Sequence, residues 1–355
     1  MLETIREFAS EQLEASAEAE NIRRRHAERM LEIAHGGRLG NHETAFDILT
    51  GLTEREELRA ALDWAVERDV EFGLRLMVVL ENFWVASMPE EGMRRVEALL
   101  VRATSIPVEL RAAALRALGG AADQAGERDD ADRAWEESLE LFRSLGDDRN
   151  MAGVEHRLAV SAWRRGDWER VRRLTESGLA RSRGKFTEIE ITSWWLLGQL
   201  RLAEGDVEGA TELTRRSAAM ASDIGWTWWE SGQLHELLVL ALRRGDLDEA
   251  ERDGQAALAM EREQENRLWT VYTLAGLAQV ALAHGDADRA GLLWGAAERE
   301  GVNFTSWDEE RANRGGALIE ETQPPFLAAL ERGRQLDLWD AVAIALGEDD
   351  PQTVP

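Results

Sequence analysis

The chain has 355 residues, is 44% hydrophobic and carries a net charge of −26. That apolar share supports a packed core and argues against disorder, while an acidic body repels nucleic acid unless a basic patch is set apart. With no cysteine and only six prolines, disulfides, thiolate metal sites and cysteine nucleophiles are excluded, and little interrupts helices.

Residues 1–52 read as an N-terminal helical cap. The opening "MLETIREFAS" is charged and has no apolar h-region, so it is no signal peptide. The best basic cluster, Arg23 to His26, is flanked by glutamates. His26, His35 and His42 could approach one another, but no metal-binding pair such as H-E-x-x-H occurs, and no metal or other cofactor is expected. Residues 53–106 read as irregular or degenerate first repeats. Thr53 and Glu56 are spaced as a capping box, and Gly92 stands five residues after Ser87. The most apolar run, "LRLMVVLENFWVASM", contains Glu81 and Asn82 and is too short to span a bilayer. The cytoplasm is the default location.

Residues 107–303 repeat. "QAGERDDA", "RRGDWERV", "AEGDVEGA", "RRGDLDEA" and "AHGDADRA" put glycines at 126, 166, 205, 245 and 285, a period of about forty. Apolar residues on either side follow helical spacing, for example Leu274, Leu277, Ala278, Ala281 and Leu282 before Gly285. The unit is therefore helix, tight turn, helix. Gly ends the first helix in the left-handed conformation, and the Asp after it caps the second. Small or aliphatic residues stand five after each Gly (Ala131, Val171, Ala210, Ala250, Ala290) and small ones twelve after (Ser138, Gly178, Ser217, Ala257, Ala297). Seven before come Gly119, Ala159, Gly198, Leu238 and Ala278, each preceded by leucine. Leu238 departs from the small residue this row requires.

This pattern resembles the tetratricopeptide repeat, at a period longer than the usual ~34 residues. The fold class expected is all-α, a right-handed superhelical solenoid of such helix pairs. "MLETIREFASEQLEASAEAENIRRRHAERMLEIA" resembles the junction after the winged helix of bacterial STAND-class (NB-ARC/LuxR-type) regulators, and "LRAALDWAVERD" resembles the opening of their repeat array. "AGLLWGAAERE" and "FLAALERGRQLDLWDAVAIAL" resemble its close, giving a C-terminal helical cap over 304–346 and an acidic tail over 347–355. The resemblance implies a sensor or protein-interaction array without the family's NTPase and helix-turn-helix domains. It implies no ATP or DNA chemistry for this chain.

Several stretches imitate active sites. "GLARSRGKFT" has five residues between its glycines and Phe186 after Lys185, so it fails the phosphate-loop pattern. No G-x-S-x-G elbow occurs, and the chain reads as a non-enzyme. Trp64, Trp135 and Trp294 fall on apolar stripes and read as core. "WTWW", Trp226 to Trp229, cannot turn three ring systems to one core, so at least one should meet a neighbouring repeat, a groove or a partner. Projecting the repeat onto an open inner face selects Arg116, His156, Trp163, Trp195, Gln199, His235, Tyr272 and Gln279 as a groove for a protein or peptide partner or a small-molecule effector. In that projection His156, Trp195 and His235 form one column, the histidines acting as donors whose charge responds near neutral pH. No membrane contact is expected. A stand-alone peptide or small-molecule receptor and a structural scaffold remain alternatives.

Overall fold

A left-handed residue punctuates the chain about every twenty residues, not every forty. In a computed structural model, which describes residues 12–13, 16, 18–38, 52–304 and 307–348, the four Gly-Asp glycines and Gly126, which Glu127 follows, all have positive φ, from +70° at Gly166 to +89° at Gly126. A second series, Gly146, Gly184, Gly225 and Glu265, falls midway between them with φ of +68°, +68°, +68° and +51°. The long period thus comes from long helices, mostly 17 residues, joined by connections of two to four residues that each hold one left-handed residue. No strand occurs among the described residues.

The chain divides into two compact units, Met1–Asp167 and Trp168–Pro355. The first holds α1 (Ala19–Arg38), α2 (Leu52–Arg68), α3 (Val70–Val79), α4 (Glu81–Ser87), α5 (Pro89–Arg102), α6 (Val108–Gln124), α7 (Arg128–Leu145) and α8 (Asp148–Arg164). The second holds α9 (Trp168–Ser182), α10 (Thr187–Ala203), α11 (Val207–Asp223), α12 (Thr227–Arg244), α13 (Leu247–Glu263), α14 (Arg267–Ala283) and α15 (Ala287–Gly301). It closes with α16 (Trp307–Arg314), α17 (Gly316–Glu320), α18 (Pro324–Gly333) and α19 (Leu338–Ala345). His42 and the tail from Asp349 lie outside the described residues, as do the side chains of His35, Thr53 and Ser87.

Capping follows the motif. Asp206, Asp246 and Asp286 accept from the backbone N–H three residues on, at 2.8, 3.1 and 3.0 Å, and Asp147 and Asn266 do the same after the second series. Each side chain satisfies one of the four N–H groups a helix start leaves unpaired. Glu265 is the one described non-glycine residue at positive φ, a conformation that costs a side chain roughly 1–2 kcal/mol. Glu265→Gly is therefore expected to gain about 0.5–1 kcal/mol after its own entropy cost. Gly245→Val, where no neighbouring atom would obstruct a Cβ, should lose stability through backbone strain alone. Urea melts of the two variants should move in opposite directions.

The rows of small residues mark the helix crossings. Ala131, Val171, Ala210, Ala250 and Ala290 are all buried, and Ser138 and Ser217 donate to the carbonyls of Ala112 and Ile191 across the hairpin at 2.8 and 3.0 Å. Leu238, the exception in its row, is accommodated by glycines on both neighbours. A Cβ at Gly254 on α13 would lie 2.3 Å from its Cδ1, and one at Gly276 on α14 would lie 2.5 Å from its Cδ2. The bulk has moved from one helix to the next; the volume is conserved.

Candidate functional site

Within each unit, some of the projected groove residues are held in the interior. In the first unit, Arg116 is committed to the interior of the fold. Its guanidinium grips Oε2 of the buried Glu81 at 3.0 and 2.8 Å and also donates to Asn150, while Arg157 takes the other Glu81 oxygen at 2.7 Å. His156 has a buried Nδ1 with no hydrogen-bond partner, and burial, helped by the charge of Arg157, pushes its pKa down to about 4. The ring is neutral at physiological pH, which corrects the expectation of a donor switching near neutrality. Trp163 is half-buried near the end of α8.

In the second unit, His235 is fully buried. Trp269 and Tyr272 of α14 pack over its ring at 5.3 and 6.5 Å, and its Nδ1 meets the Thr273 hydroxyl at 3.0 Å. Tyr272 is buried too, stacked 6.4 Å from Trp307. Both are enclosed by neighbouring rings and helices and do not line an open groove. Trp195 and Gln199 on α10, and Gln279 on α14, remain half-buried.

Trp195 instead joins the "WTWW" segment. Its ring meets Trp229 edge-on at 5.8 Å and 87°, Trp229 stacks on Trp226 at 5.1 Å and 25°, and Trp228 leans on Trp229 at 6.2 Å. Trp229 is anchored by its Nε1, which donates to Ser217 Oγ at 2.9 Å. The four indoles come from α10 and from the N-cap and first turn of α12, and Ser217 of α11 holds Trp229. Trp228 is 45% exposed, and Ile224, the C-cap of α11, is 46% exposed. Half-exposed tryptophan backed by other rings is a rigid apolar platform, the side chain most often found at the centre of protein interfaces. The other stripes behave as core, with Trp135 and Trp294 buried and Trp64 half-buried, donating to Glu20 at 3.1 Å.

One buried group went unnoticed in the sequence. Glu261 on α13 has no exposed surface. Thr273 donates to its Oε1 at 2.9 Å, which makes His235 the donor into the same hydroxyl, while Oε2 has no partner. Burial pushes its pKa up to about 8, the Thr273 hydrogen bond pulling the other way. Its signal was positional. Ala250, Gly254, Ala257 and Leu258 trace the buried stripe of α13, and Glu261 holds the next place in it. The phosphate-loop imitation is a helix end: Gly184 has φ +68° and its N–H donates to Glu190 at 2.9 Å. Among the described residues no three His, Asp or Glu side chains gather as metal ligands, and no helix is long and apolar enough to cross a membrane.

No family model matches the chain, and no curated protein does. Solved structures are similar to it. A Rap protein complexed with competence and sporulation factor has a TM-score of 0.57 at 10% identity, covering 93% of this chain and 100% of that one. The APC/C hetero-tetramer Cut9–Hcn1 gives 0.51 at 17% identity, covering 87% of this chain and 56% of that one. A kinesin light chain with TPR-like repeats from Podosopora anserina gives 0.43 at 19%, covering 54% and 96%. The fold is all-α and tetratricopeptide-like.

Proposed function

We propose that this chain is a protein- or peptide-binding module with no catalysis of its own, serving a cytoplasmic bacterial regulator of the STAND class. The observation that carries the binding reading is the half-exposed Trp228 with Ile224, held up by three further indoles. A folded chain that leaves such a platform open has a use for it. The non-enzyme reading draws support from the polar groups: His235 and Glu261 are sealed between helices and Arg116 is spent on Glu81, so none can reach a substrate. The regulator reading rests on the order of segments resembling STAND arrays from the first residues to α19. The two solved structures of similar fold also come as complexes, one with competence and sporulation factor and one with Hcn1.

The test starts with a partner captured by pull-down on the full chain. Trp228→Ala should weaken that complex at least tenfold, the loss of about 1.4 kcal/mol or more expected of a tryptophan anchor, while the far-ultraviolet spectrum and melting temperature stay put. Undiminished affinity in the folded variant would remove this surface from consideration.

A further inference from the structure

The turn that imitates a phosphate loop carries positive charge with no counterpart. Arg183, just after α9, and Arg216, on α11, both lie over the indole of Trp194 on α10, with their guanidinium carbons 5.7 and 3.8 Å from the ring centroid. One ring therefore gathers two like charges. Neither guanidinium makes an ion pair or a side-chain hydrogen bond among the described residues, although the chain offers 68 acidic residues to 42 basic ones. Glu212, one turn before Arg216, makes no ion pair with it, while Arg215, its sequence neighbour, is spent on Glu249. The buried Glu190 is committed as well: it accepts from the N–H of Gly184 at 2.9 Å and from Nε1 of Trp194 at 3.3 Å. Those two bonds fix the turn and the ring. Both arginines are exposed, as is Lys185, two residues after Arg183. Stacking occupies the face of a guanidinium and leaves its N–H edge open.

We infer that this surface receives an aspartate or glutamate side chain of a partner protein, taken up by the open edges of Arg183 and Arg216. The site goes beyond the Trp228 reading and uses none of its residues. Two cations held at one ring repel each other, and an anion bound to them offsets that repulsion. The planar fork of arginine matches the two oxygens of a carboxylate through parallel hydrogen bonds. With Trp194 and the turn already fixed, little ordering cost is left for binding to meet. A nucleic acid or an anionic lipid surface would bring many charges up to a body of net charge −26 and be repelled. One carboxylate meets chiefly its immediate neighbours, because more distant acids are screened beyond about 8 Å at physiological salt.

Random peptides displayed on phage provide the probe, selected on the full chain and counter-selected on Arg183→Gln/Arg216→Gln, so that survivors are those needing the two arginines. Circular dichroism verifies that the variant folds; if it does not, Arg183→Gln alone, which leaves Arg216 on the ring, takes its place. The expected result is enrichment of Asp and Glu among the survivors. Resynthesised with that residue changed to Asn or Gln, they should bind about tenfold or more weakly, and the loss should shrink as salt rises. Inorganic phosphate and a short single-stranded oligonucleotide should not compete with them, and Trp228→Ala should bind them undiminished. No survivors, survivors without an acid, or survivors indifferent to the amide change overturn the inference. Competition by phosphate or oligonucleotide at the peptide's own concentration overturns it in favour of a phosphate ligand. A tenfold loss in Trp228→Ala assigns the peptides to the Trp228 platform and overturns this site while leaving that surface standing.

Discussion

Glu261→Gln is expected to stabilise the protein on the alkaline side of neutrality and to leave it nearly unchanged in acid. In the folded chain this carboxyl is held above its ordinary 4.5, at about 8, by burial; the unfolded chain restores the ordinary value. The unfolded state therefore releases a proton that the folded state keeps. The stability the neutral form provides is complete below about pH 4.5 and is lost progressively as pH rises to about 8, above which the loss levels off. At roughly 1.4 kcal/mol per pK unit, the full swing is on the order of 5 kcal/mol. Glutamine has nearly the same shape, accepts from Thr273 and never ionises. Urea midpoints of parent and variant should thus coincide at pH 4.5 and separate widely at pH 8.5. Parallel pH profiles would show that water or a shift of α13 relieves the buried charge.

Gly295→Ala is expected to cost about 2–3 kcal/mol or more, for a reason opposite to that of the turn glycines. On α15 the added Cβ would lie 2.3 Å from the carbonyl oxygen of Leu330 and 2.9 Å from the nitrogen of Arg334. Gly291, one turn earlier, would strike the carbonyl of Phe326 at 2.4 Å, and Gly333 on α18 would strike that of Leu292 at 2.2 Å. These are backbone atoms, so no side chain can turn aside; the helices must part and the packing of Phe326 and Ala329 goes with them. Gly291→Ala combined with Gly295→Ala should cost less than the two separately, because helices already parted cannot be parted again. Gly232→Ala is the control. It sits in α12 with only a Trp269 ring carbon at 4.0 Å, so helix propensity should make it neutral or stabilising by up to about 1 kcal/mol. Equal losses at Gly232 and Gly295 would refute the close-approach account.

What could be read in the chain divides along a physical line. Gly205, Asp206 and Ala210 state a local rule about one turn and one crossing, and such rules survive into the fold because their causes lie within a few residues. Leu238 breaks its row in the sequence, and only the crossing of three helices shows Gly254 and Gly276 making room for it. Arg116 looked like a free donor because its acceptor, Glu81, stands 35 residues away on another helix. His235 looked open because the projection treated each inner face alone, without the rings of Trp269 and Tyr272 that α14 lays over it. The "WTWW" segment fared better, since three indoles in four residues cannot all be buried by one core.

The twenty-residue cadence of left-handed turns has a consequence for how such a chain can change its length. From Thr187 to Ala287 every helix starts twenty residues after the last, and the turns inside a pair are built like the turns between pairs. Nothing in a turn tells the backbone which kind it is. The distinction is written on the helix faces: one helix carries the Leu-small pair, the next the small residues five and twelve places after its glycine. A slippage event that duplicated or deleted forty residues would return each face to its partner and keep the array packed. A slip of twenty would pass every test of turn geometry and still set two like faces against each other. Copy number in this array can therefore drift by whole pairs, with the end helices fixed and the middle free to lengthen.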